Sequence, residues 1–133
     1  MGIQPIHTDK APAAIGPYSQ AIKANGMLFV SGQIPIDPLT GELIGDDIEK
    51  AAHQVMNNLE AILKSGGSCW AEVIKTTIYL KNMEDFVQVN QVYGKFMGPY
   101  KPARATVEVS ALPKNALLEI DCIALLKPEK TRF

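Results

Sequence analysis

The order of apolar and polar positions predicts a compact alternation of strands and helices. Ser19 to Ala24 and Met27 to Gln33 flank Asn25-Gly26, a dipeptide that tolerates positive φ at both turn positions and so predicts a tight β-hairpin. Asp37-Pro38-Leu39-Thr40-Gly41 reads as a turn. Beyond it, Ile48, Ala52, Val55, Leu59 and Ile62 recur at spacings of four and three, which predicts a helix capped by Asp46 or Asp47 and ended by Gly66-Gly67. Val73 to Leu80 is a strand with β-branched residues on both faces. Asn82 is expected to cap a second helix, with Asp85 in a capping-box position and a stripe of Phe86, Val89, Tyr93 and Phe96 or Met97. Pro99 and Pro102 end it, and two strands follow, from Lys101 to Val109 and from Leu117 to Leu126. An extra strand fits Gln4 to His7, and the charged tail from Pro128 to Phe133 is expected to fray.

The order β-β-α-β-α-β-β describes an α+β fold. Right-handed crossovers put both helices on one face of a mixed sheet and leave the other face bare. Val73, Thr77, Tyr79, Val107 and Ile123 include candidates for that bare face, so burial against other copies, a homo-oligomer, is expected.

Two charges interrupt the last strands. Arg104 lies in a run of small and β-branched residues, and Glu119 in a segment apolar at eight of ten positions. Burying an unpaired ion is costly, so such charges are paired, neutralised or used in a site. The short link from Ala111 to Ala116 would let the two strands pair as an antiparallel hairpin and bring both charges together. On the strands alone, a structural salt bridge is the stronger reading and a small-molecule site the sharper one.

Composition narrows the classes. The chain has 133 residues, 47% hydrophobic and 20% charged, with net charge −1. That describes one ordinary globular domain over residues 1–133, with no basic stripe for nucleic acid and no apolar run long enough for a membrane span. Cys69 and Cys122 lack C-x-x-C spacing and indicate neither a disulfide framework nor zinc, so a reducing compartment is expected. No secretory or organellar signal is visible, and Ile6 stands where a myristoylation motif needs Ser or Thr. The expected location is the cytoplasm, or an organelle if a leader has been removed.

The common catalytic sets are missing: no G-x-S-x-G, H-E-x-x-H, P-loop or G-x-G-x-x-G occurs, and no cluster has metal-ligand spacing. His53 reads as a solvated helix residue, His7 has no evident partner, and Cys122 reads as an inert buried thiol. Trp70, Phe86, Tyr93 and Phe96 read as packing residues. Gly16-Pro17-Tyr18-Ser19-Gln20 and Ser31-Gly32-Gln33-Ile34-Pro35 are, taken singly, ordinary turn chemistry.

Taken together, Gly16 to Ala21, Ser31 to Pro35, Asn58-Leu59 with Ile62-Leu63, Val73 to Leu80, Pro102-Ala103-Arg104-Ala105-Thr106-Val107-Glu108-Val109, Leu112-Pro113 and Glu119-Ile120-Asp121-Cys122-Ile123-Ala124 closely resemble, in this order, the Rid family of reactive-intermediate deaminases. The resemblance runs from about Thr8 to Leu126, is most specific around Pro102-Ala103-Arg104 and Glu119-Ile120, and points to the RidA subgroup.

The resemblance implies a chorismate-mutase-like fold, a homotrimer and ligand sites in clefts between subunits. It implies hydrolysis of enamines and imines, such as 2-aminoacrylate, to 2-keto acids and ammonia, with no cofactor and no metal. Pyridoxal-phosphate-dependent dehydratases would supply the substrates. Carried over by position, the catalytic residues are Tyr18, Ser31, Arg104 and Glu119. Substrate binding falls to Arg104, Thr106, Tyr18, Ser31 and Gly32, with the backbone at Thr106 lining the cleft. Many members carry cysteine at the Thr106 position, so a required thiol is excluded. The residues suit this chemistry: Arg104 offers a planar fork for a carboxylate, Glu119 can activate a water, and Tyr18 and Ser31 can orient the ligand or relay a proton. Two alternatives come from other classes: a keto-acid-binding module without turnover, and a ribonuclease, translation inhibitor or chaperone-like protein. The net charge of −1 argues against strong phosphate binding.

Overall fold

The computed structural model describes residues 2–128, so most of the charged tail lies outside the described residues. Strands β1 (Gln4–Ile6), β2 (Ala21–Ala24) and β3 (Met27–Gln33) come first, then helix α1 (Ile48–Ser65). Strand β4 (Val73–Leu80), helix α2 (Phe86–Met97), β5 (Ala103–Glu108) and β6 (Leu118–Leu125) complete the chain. The optional first strand is present, so the order gains one β at its start.

Local signals form the elements they predict. Asn25 and Gly26 take φ of 52° and 73°, and Ala24 pairs with Met27, giving the two-residue hairpin between β2 and β3. Asp47, not Asp46, caps α1, its carboxylate accepting from the Lys50 amide at 3.1 Å. Asn82 makes no such bond; a single 3-10 turn, Met83–Asp85, starts α2, and the Met83 amide donates to Glu108 at 2.8 Å.

One six-stranded sheet runs β1-β2-β3-β6-β4-β5. Its only parallel pair is β4 with β5, as a strand-helix-strand crossover through α2 requires. Both helices pack on one face, where Leu28, Ile78, Leu80, Leu118 and Ile120 meet Val55, Leu59, Ile62 and Val89, all fully buried. Each such side chain contributes about 1.5–3 kcal/mol by leaving water. Cys122 lies in this layer, and burial, followed by the charge of Asp121, pushes its thiol up to about 12.

The other face has no layer over it. Phe29, Thr77, Tyr79, Val107, Ile123 and Leu125 lie there, partly or largely exposed. Val73, expected among them, is buried instead: a bulge between Val73 and Lys75 turns it toward the helices.

Candidate functional site

The expected hairpin of the last two strands does not form. Strand β4 lies between β5 and β6, because the crossover through α2 seats β5 beside β4 and β6 pairs with β3 and β4. The link that follows β5 passes the end of β4, where Val109 bonds to the Leu80 carbonyl and Lys81 to the Leu117 carbonyl. Arg104 is paired with Thr76 and Glu119 with Tyr79, three residues apart on β4, so the two side chains leave opposite faces of the sheet. Two strand spacings across and three residues along put their Cα atoms about 14 Å apart. Arg104 and Glu119 form no salt bridge.

Glu119 belongs to a group around β3. The ladder between β3 and β6 carries one extra residue between Val30 and Gln33, so Ser31 and Gly32 bulge beside β6. Gly32 is needed there for space: a Cβ on it would stand 2.1 Å from Oε2 of Glu119. The carboxylate therefore lies directly against the β3 backbone. Half-buried, it has its pKa raised, first by loss of water and then by the charge of Asp121. Asp121 itself accepts from the Tyr79 hydroxyl at 3.1 Å. Tyr79 is in turn raised by burial and by Asp121.

Tyr18 reaches the same group from the loop before β2. It is 54% exposed and shares a cavity of about 230 Å³ with Ile15, Gly32, Ile34, Pro113 and Lys114. Ser31 is tied to this loop: its hydroxyl donates to the Ser19 carbonyl at 2.6 Å, and its amide to the Gln20 carbonyl at 2.9 Å. The Ser31 hydroxyl proton is thus committed, leaving its oxygen to accept.

Sequence reasoning passes over Gln20 as part of a motif. It is 2% exposed, and its amide group bonds Thr8 twice, at 2.7 and 3.0 Å, and the Pro12 carbonyl at 2.8 Å. One buried side chain thereby closes the loop that presents Tyr18. Asn58 does the same on the far side of the cavity, holding the carbonyls of Ile34 and Ile36 from α1.

Arg104 stands on the helix side of edge strand β5. Its guanidinium lies over the rings of Phe86 and Tyr93, with centroids 5.4 and 5.0 Å away, and Nη1 donates to Oδ1 of Asn90 at 2.7 Å. These three residues form one stripe of α2. Phe86 and Tyr93 therefore do more than pack, and Asn90 escapes notice in the sequence because a lone Asn on a helix carries no signal of its own. Tyr93 is fixed from below by a 2.9 Å bond between its hydroxyl and the buried Thr76. A cavity of about 450 Å³ opens beside Arg104, lined also by Tyr93, Gly94, Met97, Tyr100 and Lys101. Thr106 lies two residues further on the same face, its hydroxyl buried without a hydrogen-bond partner among the described residues.

The site residues thus fall into two groups, Tyr18, Ser31, Gly32 and Glu119 in one and Arg104 and Thr106 in the other. His7, expected to be alone, contacts Asp9 at 3.1 Å; His53 is exposed and edges onto Phe96. Among the described residues no three His, Cys, Asp or Glu side chains gather to hold a metal ion, and no helix is long and apolar enough to cross a membrane.

Known proteins share this chain's sequence and fold over nearly its whole length. The family model described as Endoribonuclease L-PSP matches residues 8–126. A RutC family protein of Pyrococcus horikoshii is 55% identical over 119 residues, covering 90% of this chain and 94% of its own. The chloroplastic Reactive Intermediate Deaminase A of Arabidopsis thaliana is 48% identical over 121 residues, 91% of this chain and 65% of that protein. A crystal structure from Yersinia pestis, described as a protein of unknown function of the conserved Rid family, superposes with a TM-score of 0.92 at 51% identity, over 94% of this chain and 100% of that one. The fold is therefore the α+β, chorismate-mutase-like one, and the chain belongs to the Rid family.

Proposed function

We propose that the protein is an imine and enamine deaminase of the 2-iminobutanoate/2-iminopropanoate type, working without a cofactor at sites completed between copies of the chain. One observation carries the reading: an arginine fork with no carboxylate partner among the described residues and a carboxylate of raised proton affinity stand on opposite faces of one sheet. Neither neutralises the other; Arg104 lines one cavity, and Gly32, which makes room for the Glu119 carboxylate, lines another with Tyr18. The bare sheet face supplies the surface for assembly, as a homotrimer, in which Arg104 of one copy approaches Glu119 of the next.

In this mechanism the substrate carboxylate docks on Arg104. Enamine first takes a proton at its β-carbon to become the iminium ion, which is already electrophilic, so no covalent enzyme intermediate is needed. Glu119 accepts a proton from a water as its oxygen bonds to the iminium carbon. The resulting carbinolamine receives that proton on nitrogen and collapses: the C–N bond breaks and ammonia leaves, while the Glu119 carboxylate takes the hydroxyl proton as that oxygen becomes the keto oxygen and passes it to the ammonia. Tyr18 orients the nitrogen, Ser31 accepts a hydrogen bond, and the Gly32 and Thr106 backbones line the cleft. Iminium and water become 2-keto acid and ammonium. A carboxyl with raised pKa suits both halves of the transfer.

The name of the Arabidopsis relative supports the deaminase reading, and the description of the family model favours the endoribonuclease alternative. A net charge of −1 supports the former. The test couples the purified protein to a pyridoxal-phosphate-dependent dehydratase fed serine and follows pyruvate and decay of the intermediate. Faster pyruvate release is expected; an unchanged rate alongside pyruvate binding would leave only a binding module.

A further inference from the structure

We infer that Asn90 is the residue that makes Arg104 a receptor for carboxylates, by holding the guanidinium without neutralising it. The inference rests on the deaminase reading and deepens it.

An arginine on an exposed edge strand is normally mobile or paired with an acid, and either state spoils it as an anion receptor. Here it is neither. The rings of Phe86 and Tyr93 bear one face of the fork, and Asn90 fixes one end through Nη1 at 2.7 Å. Guanidinium has five N–H donors, and this is the one side-chain hydrogen bond Arg104 makes among the described residues. The fork is thus oriented, with most of its donors left for a ligand. The holder is a neutral amide oxygen, so the full positive charge remains. The cavity lining repeats the pattern: it contains two cations, Arg104 and Lys101, and no Asp or Glu. Asp at position 90 would fit the same space, reach the same Nη1, and answer the charge that Asn leaves free.

This leads to an order of variants that a structural role would reverse. Asn90→Ala loosens the fork and should raise both the dissociation constant for pyruvate and KM by about 10-fold, with kcat little changed. Asn90→Asp keeps the fork in place but occupies it, and should weaken pyruvate on the order of 100-fold, with an unchanged or higher melting temperature. If Asn90 served only to pin β5 to α2, the Asp variant would be the conservative one, outperforming Ala in both binding and stability.

The experiment measures pyruvate binding by calorimetry, imine turnover and melting temperature on the wild type and both variants. Pyruvate binding ranked wild type, Ala, then Asp, with Asp no less stable than wild type, is the expected result. An Asp variant that binds pyruvate as well as the Ala variant or better overturns the inference, as does a wild type that binds no pyruvate. A wild type that binds pyruvate but hydrolyses no imine sinks the deaminase reading alone, while the binding order still decides the part played by Asn90.

Discussion

Gly32→Ala separates the placement of the carboxylate from everything else the chain does. The added Cβ would stand 2.1 Å from Oε2, 2.7 Å from Cδ and 3.0 Å from Cγ of Glu119. Ordinary contact between such atoms starts near 3.4 Å, so the carboxylate must withdraw by about 1 Å or more. A displacement of that size in a catalytic group costs about 100-fold in rate, or about 2.7 kcal/mol of barrier. The fold should hardly notice. The backbone at Gly32 is not in the left-handed region, and the atoms displaced are the free end of a half-buried side chain, so unfolding free energy should change by about 1 kcal/mol or less. Pyruvate affinity should move by less than about threefold, because the clash falls on Glu119 and leaves the Arg104 that holds the carboxylate on its own support, Asn90. Dehydratase-coupled turnover, urea unfolding and calorimetry on one preparation give all three numbers. A second pair of variants isolates the clash: adding Gly32→Ala to Glu119→Asp, whose shorter side chain withdraws the carboxylate already, should cost much less than adding it to the wild type. Full turnover in Gly32→Ala would show that the position of Glu119 is immaterial, and a loss of several kcal/mol in stability would show that the contact is structural.

The folded chain raises the pKa of Glu119 above its unfolded value, so ionising it opposes folding; the penalty is absent below the unfolded carboxylate pKa and grows as pH rises through the folded one. Glu119→Gln should therefore melt higher than wild type near neutrality, with the gain vanishing in acid, and a lower melting temperature at pH 7 would show that the ionised carboxylate stabilises the fold instead of straining it. Arg104→Lys should lose most of its turnover with the fold intact, since a point charge cannot match a planar carboxylate at two points; full activity would refute that geometry. Arg104→Ala and Glu119→Gln subunits, each inactive alone, should regain activity when unfolded and refolded together, and none if each site lies within one chain. Gly94 lies in the exposed interior of α2, where an added Cβ would meet nothing within 4 Å, and should accept Ala with a gain of about 1 kcal/mol in urea unfolding.

Local chemistry is legible in the sequence wherever a few neighbouring residues decide the outcome. Asn25-Gly26 specifies the hairpin, the pair Asp46-Asp47 the start of α1, though not which of the two caps it, and the alternation around Cys122 its burial. The order of strands across the sheet is not, since β4 enters between β5 and β6 only through the packing of α2, which no window of residues around Arg104 records. For the same reason Arg104 and Glu119 can be read as misplaced charges, but not the faces from which they project. Val73 reads onto the wrong face because one bulge residue inverts the alternation. Asn90 and Gln20 escape because their partners are a distant strand and a loop closed by the fold itself.

On the deaminase reading, the burial of Cys122 bears on how the protein survives its proposed substrates. Electrophilic imines react with thiolates, and a thiol held at about 12 presents a thiolate fraction of only about one in 10⁵ at pH 7. Neither group of candidate site residues contains sulfur for the intermediate to alkylate. On the deaminase reading, the site can then meet a reactive metabolite at every turnover with no thiol of its own to lose, and activity should persist under oxidants that silence thiol-dependent enzymes.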